Sequence, residues 1–340
     1  MSKENILGIP IQEYKGAKST LCAGCGHDSI TDKIIKACFN NGIKPNMVAK
    51  MSGIGCSSKT PAYFLSQSHG FNSVHGRMPS VSTGAALANR KLTILGVSGD
   101  GDTASIGIGQ FVHCVRRNAP MVYIIENNGV YGLTKGQFSA TADEGSKSKR
   151  GIPNEITPID LSSLAIQLGC GFVGKSFSGA PKQLTPLIQA ALSYQGTAVI
   201  DVISPCVTFN NHEGSTKSYN YVKEHDIELQ DLDYIPSYTP IEEVEIPQGE
   251  STDVELHDGS KIRLTATKDD YDVHNKNEAI AAINDSMEKG AHLTGLLYLN
   301  NSKKTLYEDL NLCQTPLAHL EEERIRPPET KLQEMMNRYK

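Results

Sequence analysis

Short apolar runs rich in β-branched residues alternate along the chain with stretches whose apolar residues recur every three or four positions. The runs at 46–51, 92–97, 121–125, 171–175 and 197–203 predict buried strands. Between them the spacing predicts helices. The first begins after Asp28, whose side chain caps it, and sets Ile30, Ile34, Ile35, Cys38 and Phe39 on one buried face. Others follow at 81–89, 105–117, 161–168 and 181–193. Over 105–117, Ile106, Phe111, Val112 and Val115 fall near one stripe. The alternation from about residue 20 to 206 predicts an α/β fold, a doubly wound and mostly parallel sheet led by an extended arm. Residues 136–158 are polar and rich in Ser, Lys and Gly, which predicts a mobile loop.

After residue 211 the pattern changes. We therefore divide the chain into a domain over 1–211 and a C-terminal α+β extension over 212–340. Residues 212–250 carry many charges, tyrosines and prolines, with a short helix near 218–228. Val254-Glu255-Leu256 and Ile262-Arg263-Leu264 alternate around Asp258-Gly259, a hairpin signal. A helix at 279–289, a strand at 294–299 and a final helix running to Lys340 complete the extension, which is expected to pack on the domain or wrap a partner.

With 340 residues, 39% of them hydrophobic and 21% charged, the chain has the size and composition of a globular protein of one large or two modest domains. A net charge of −5 gives no attraction to nucleic acid or an anionic membrane, and no apolar run has the length of a membrane span. The opening Met1-Ser2-Lys3-Glu4-Asn5 lacks a basic segment followed by an apolar one. A cytoplasmic protein is expected, whose eight cysteines are thiols or metal ligands rather than a disulfide framework.

The strand at 92–97 ends in Ser98-Gly99-Asp100-Gly101, and the strand at 121–125 ends in Glu126-Asn127-Asn128-Gly129. In a parallel sheet Asp100 and Asn128 emerge together at the carboxyl ends of the strands, where such sheets bind ligands. A carboxylate, a carboxamide oxygen and a main-chain carbonyl make a hard oxygen half-shell, which suits Mg²⁺ on a diphosphate. Two ordinary turns would use the same residues. Gly99-Asp100-Gly101-Asp102 followed by Asn127-Asn128 resembles the thiamine-diphosphate signature. On that pattern Asp100, Asn128 and the Val130 carbonyl hold the metal.

Cys22 and Cys25 form a Cys-x-x-Cys, open to zinc, redox-dithiol and iron–sulfur readings. Cys56 follows a strand end in a glycine turn and Cys206 follows another behind Pro205, on the same side of a parallel sheet. Four thiolates at one edge argue against a lone dithiol and suit a cubane cluster, with a Cys₄ zinc site as the competitor. Cys38, Cys114, Cys170 and Cys313 read as structural, buried cysteines.

Together Cys22-Ala23-Gly24-Cys25-Gly26-His27, Ser52-Gly53-Ile54-Gly55-Cys56, the Gly-Asp-Gly and Asn-Asn pair, and Pro205-Cys206-Val207-Thr208-Phe209-Asn210 resemble the beta subunit of the 2-oxoacid:ferredoxin oxidoreductases. The resemblance implies the diphosphate-binding domain of the thiamine-diphosphate fold. It implies that Cys22, Cys25, Cys56 and Cys206 hold a 4Fe–4S cluster beside thiamine diphosphate and Mg²⁺, with Gly99, Asp100, Gly101, Asp102, Asn128, Val130, Gly132 and Leu133 around the cofactor. Lys59, Leu133 and Lys135 would lie near substrate, a lysine pairing with its carboxylate. His75 and Arg77 contact the diphosphate or brace their loop. The implied reaction is coenzyme A-dependent oxidative decarboxylation of a 2-oxo acid, with 2-oxoglutarate first and pyruvate or branched-chain acids as alternatives. Electrons would leave for ferredoxin, and the reverse carboxylation uses the same groups. The implied partner is an alpha subunit carrying the aminopyrimidine-binding domain, in a heterodimer or dimer of heterodimers. Two other readings stay open: a non-redox thiamine-dependent carboligase or decarboxylase half with structural zinc, and a metal-binding scaffold without activity.

Overall fold

A computed structural model describes residues 4–148, 151–237, 251–266 and 271–339. Its strands in chain order are β1 (Val48–Ser52), β2 (His69–Asn72), β3 (Thr93–Gly99), β4 (Met121–Asn127), β5 (Val130–Tyr131), β6 (Gln137–Phe138), β7 (Phe172–Phe177) and β8 (Thr197–Ile203). The extension adds β9 (Asp226–Glu228), β10 (Gln230–Ile235), β11 (Ser251–Glu255), β12 (Lys261–Ala266) and β13 (His292–Leu299). The main sheet has eight strands in the order β2-β1-β3-β4-β8-β7-β13-β9. Neighbours from β2 through β7 run parallel, and β13 pairs antiparallel with β7.

Alternating side chains of β4 show why the sheet needs cover on both faces. Val122 and Ile124 point into the layer of helices α1 (Gly26–Asn40) and α5 (Pro181–Ser193). Met121, Tyr123 and Ile125 point into the opposite layer, built on α2 (Met78–Ala88), α3 (Ile108–Arg116), α4 (Leu161–Gln167) and α7 (Lys276–Glu288). Every residue of β4 is buried. Each fully buried aliphatic side chain of this kind contributes about 1.5–3 kcal/mol. The small antiparallel sheet β10-β12-β11 packs its Leu232, Val254, Ile262 and Leu264 on the α1/α5 side.

The order β2-β1-β3 places a switch point between β1 and β3. The chain leaves β1 for β2 on one side, then returns to β3 on the other. Crossovers diverge there, which opens a crevice beyond the strand ends. The turn after β1 carries Cys56 and the turn after β3 carries Asp100.

Several expectations are corrected. α1 starts at Gly26 with Cys25 at its N-cap, so Asp28 lies in the first turn rather than capping the helix. It starts earlier because the Cys25 carbonyl already accepts the Asp28 N–H, at 3.2 Å. The helix expected over 105–117 begins as a wide π-type turn at Asp102–Ile106 before α3, with the Asp102 carboxylate held by the Gly76 N–H and the Ser98 hydroxyl. The helix expected near 218–228 is α6 (Tyr219–His225), capped by Ser218, and its last residues form β9 instead. The described residues of segment 136–158, expected to be mobile, are tied down: Thr141, Ala142 and Asn154 are buried, and the Asn154 amide donates to the carbonyls of Ala142, Asp143 and Ile156, while residues 149–150 lie outside the described residues. Cys313, expected in a core, is exposed, whereas Cys38, Cys114 and Cys170 are buried. The opening residues 1–3, the Pro-rich part of 238–250 and Lys340 lie outside the described residues.

Candidate active site

Asp100 is 1% exposed, and its carboxylate is already densely bonded. Oδ1 accepts the Asn128 N–H at 3.2 Å. Oδ2 accepts the Gly129 N–H at 3.1 Å, the Thr141 hydroxyl at 2.7 Å and the Ser139 hydroxyl. Three donors crowd Oδ2 and one reaches Oδ1, so Oδ1 retains a lone pair for a cation. The Asn128 side-chain oxygen accepts the Val130 N–H at 3.0 Å, and the Asn210 amide donates to the Asn128 carbonyl at 2.7 Å. The turn is thus fixed by its own hydrogen bonds. A Cβ on Gly101 would stand 2.6 Å from the Tyr131 ring, whose hydroxyl donates to the Gly101 carbonyl, which explains the second glycine of the motif. The Asp100 oxygens, the Asn128 amide and the Val130 carbonyl suit the oxygen preference of Mg²⁺.

Two of the thiols, Cys56 and Cys206, follow the ends of β1 and β8, and Cys22 and Cys25 lie in the loop that enters α1. Cys22 is exposed, and Cys25, Cys56 and Cys206 are partly buried. The Gly26 N–H donates to the Pro205 carbonyl, and the Thr208 hydroxyl reaches Cys22 Sγ at 3.6 Å, which stitches the Cys22–Cys25 loop to the Cys206 loop. A Cβ on Gly132 would meet Cys56 Sγ at 3.4 Å and Cys206 Sγ at 3.7 Å. The glycine therefore leaves free the space onto which both sulfurs open. Burial, then the neighbouring Glu126, Cys206 and Asp28, push the Cys25 thiol up to about 12. Burial, then Cys206, raises Cys56, against the opposing pull of Lys59. Burial thus disfavours the thiolate at Cys25 and Cys56, and a metal centre bound there would offset that cost. Among the described residues no three His, Cys, Asp or Glu side chains gather around a single ion position.

One cleft joins the two groups. It is lined by Cys56, Ser57, His75, Gly99, Asp100, Gly101, Asp102, Asn128, Val130, Gly132 and Leu133, with His27 and Glu126 at its back. Ser57 Oγ is buried there without a hydrogen-bond partner, an orphan that a bound ligand would satisfy. Glu126 is fully buried and accepts from the Thr60 hydroxyl at 2.9 Å; burial raises its carboxyl well above the usual range. Burial lowers His27 to about 4, and its Nε2 approaches the Glu126 carboxyl at 3.7 Å. Sequence reasoning passed over Glu126, His27, Ser57, Ser139 and Thr141. His75 lines the cleft, whereas Arg77 is exposed and donates to the Gln110 side chain at 3.1 Å, a brace between loops. Leu133 reaches the cleft with 51% of its surface exposed, and Lys59 and Lys135 are exposed outside its lining.

Residues 52–202, from the end of β1 to the end of β8, match the family model of the thiamine pyrophosphate enzymes' C-terminal TPP-binding domain. The chain is 37% identical over 248 residues to a 2-oxoacid:ferredoxin oxidoreductase subunit beta from Sulfolobus sp., covering 72% of this chain and 79% of the relative. The chain belongs to the 2-oxoacid:ferredoxin oxidoreductase beta subunits. This beta subunit is also 35% identical over 211 residues to the 2-oxoglutarate synthase subunit KorB of Methanothermobacter thermautotrophicus, covering 61% of the chain and 73% of the relative. Its fold superposes on the 2-oxoglutarate:ferredoxin oxidoreductase of Magnetococcus marinus with a TM-score of 0.72 and 28% identity, over 89% of each chain. That structure has 2-oxoglutarate, coenzyme A and succinyl-CoA bound. The beta subunit is thus part of an enzyme complex with a thiamine-diphosphate fold. Among its described residues no helix is long and apolar enough to cross a membrane.

Proposed function

We propose that this beta subunit, with its alpha subunit, carries out coenzyme A-dependent oxidative decarboxylation of 2-oxoglutarate to succinyl-CoA, delivers the electrons to ferredoxin, and runs the reverse carboxylation with the same groups. The observation that carries this reading is the single cleft lined by both Cys56 and Asp100. When bound, thiamine diphosphate supplies the nucleophilic carbon and electron sink for decarboxylation, and a 4Fe–4S cluster accepts electrons singly. The chain's own residues do the rest. Asp100, Asn128 and the Val130 carbonyl hold the diphosphate through Mg²⁺, with Gly99, Gly101, Gly132, Leu133 and His75 around it, and Asp102 fixes the Gly76 loop beside them. Cys22, Cys25, Cys56 and Cys206 hold the cluster. Lys59 and Lys135, exposed cations flanking the cleft residues Cys56 and Leu133, draw in the dicarboxylate substrate.

Preference for 2-oxoglutarate is supported by the names of the KorB relative and by the ligands of the Magnetococcus marinus structure. We read residues 1–211 as the cofactor-holding unit and 212–340 as an extension available to the partner. The complex purified without oxygen should contain iron and thiamine diphosphate and oxidise 2-oxoglutarate ahead of pyruvate and branched-chain 2-oxo acids. The isolated chain should be inactive. Zinc in place of iron, or equal rates on all three acids, would overturn the corresponding part of the proposal.

A further inference from the structure

Behind the diphosphate turn lies a second polar layer. Asp201, in β8, is 1% exposed. Its Oδ1 accepts the Asn127 side-chain N–H at 3.0 Å. Asn127 Oδ1 in turn faces the Thr141 hydroxyl at 3.0 Å, and that hydroxyl lies 2.7 Å from Asp100 Oδ2. A continuous line of polar contacts thus runs from β8 through the first asparagine of the Asn-Asn pair to the carboxylate that faces the cofactor cleft.

Burying a carboxylate is costly unless it is paired, and Asp201 is paired poorly. The nearby Lys175 Nζ is 4.0 Å from Asp201 Oδ2 but 2.9 Å from Asp160 Oδ2. Asp160 also accepts the Ser163 N–H, as the cap of α4. The strongest contact that Asp201 makes is therefore with the Asn127 amide. Its effect is directional. A carboxylate only accepts, so Asn127 must turn its NH₂ to Asp201 and its carbonyl to Thr141. The Thr141 hydroxyl has one proton, which Asn127 Oδ1 and Asp100 Oδ2 accept, and its oxygen also lies 3.0 Å from the Ser139 hydroxyl, which itself donates to Asp100. Asn127 takes a share of that proton, and the Asp100 carboxylate is left with more free lone-pair density for a cation. With a neutral amide at 201 the Asn127 side chain is free to reverse, and the Thr141 proton goes wholly to Asp100.

We propose that Asp201 and Asn127 are positioning residues for the metal of the diphosphate site, acting on Asp100 through the Thr141 hydroxyl. This rests on the reading of Asp100 as a ligand of Mg²⁺. Partners that hold a metal ligand from behind typically change metal affinity by about 10–100-fold when removed.

The test uses the complex with its alpha subunit, stripped of thiamine diphosphate and titrated with Mg²⁺ at fixed cofactor by calorimetry. The isosteric Asp201→Asn variant and the Asn127→Ala variant should each raise the half-saturating Mg²⁺ concentration about tenfold. Excess Mg²⁺ should restore full cofactor binding, and the visible spectrum of the thiol-held centre should be unchanged. A merely structural role would lower the melting temperature or the bound cofactor without this shift in Mg²⁺ demand. Should one variant fail to assemble, the other decides. An assembled variant that saturates at the wild-type Mg²⁺ concentration overturns the proposal. A wild-type complex that binds thiamine diphosphate without any divalent cation would instead overturn the metal reading beneath it.

Discussion

The diphosphate turn and the thiol rim share one sheet edge but are stabilised in opposite ways. Asp100 is buried and receives four hydrogen bonds from backbone and hydroxyl donors, so its geometry exists before any ligand arrives. The rim has few such supports. Cys22 is exposed, the loops are joined by the Gly26–Pro205 and Thr208–Cys22 contacts, and burial, then neighbouring acids, raises the Cys25 thiol. One region is organised by the chain's own hydrogen bonds, and the other has few of them. A preorganised cation site would let cofactor exchange without unfolding, while a rim that held a metal would couple folding of its loops to metal loading.

Four substitutions would break or sharpen that contrast. The largest effect is expected for Cys56→Ser, which should abolish the visible absorption of the iron centre while thiamine diphosphate still binds; an unchanged spectrum would remove Cys56 from the ligand set. Asp100→Asn should do the reverse, weakening Mg²⁺-dependent cofactor binding on the order of 100-fold with iron content preserved, as read by calorimetry and iron assay. Gly132→Ala places a methyl where Cys56 and Cys206 open, 3.4 and 3.7 Å from their sulfurs. It should lower iron per complex to about half with a smaller loss of cofactor, and full iron loading would show that the thiols face elsewhere. The smallest shift belongs to Ser139→Ala. It removes one of the four donors to Asp100 and should weaken cofactor binding about fivefold, measured in the same titration.

The tail gives a fifth test, through pH. Burial, then the field of Lys175, lowers His292 to about 4 from its ordinary 6.5, while its Nε2 donates to the Thr216 carbonyl. The unfolded chain binds this proton first, so the contribution of His292 is complete above pH 6.5 and is lost as pH falls toward 4. Over that window the loss amounts to about 3 kcal/mol. His292→Gln should flatten that part of the stability profile, and thermal melts of the complex at pH 5 and 7 would show whether it does.

Most of the sheet was legible because its central strands are buried on both faces and so read as unbroken apolar runs. β2 was not: His69–Asn72 is an exposed edge strand with no apolar alternation to find. The same contrast holds at the site. The Gly-Asp-Gly and Asn-Asn turns stand out because turn chemistry restricts which residues serve, and a Cys-x-x-Cys together with two cysteines just past strand ends is rare enough to notice. Ser139 and Thr141 carried no such mark. Hydroxyl residues in a polar segment look like solvated loop, and only the fold brings that loop back over Asp100. Glu126 and His27 were equally silent, since a buried acid is distinguishable from a surface glutamate only by its surroundings.

The most direct measurement is the visible and electron paramagnetic resonance spectrum of the anaerobic complex on adding 2-oxoglutarate and coenzyme A. We expect the oxidised iron–sulfur absorption to bleach and a reduced-cluster signal to appear, and both to vanish when Mg²⁺ and thiamine diphosphate are removed. A spectrum that stays unchanged with every component present, or a complex holding zinc and no iron, would contradict the pairing of these two sites.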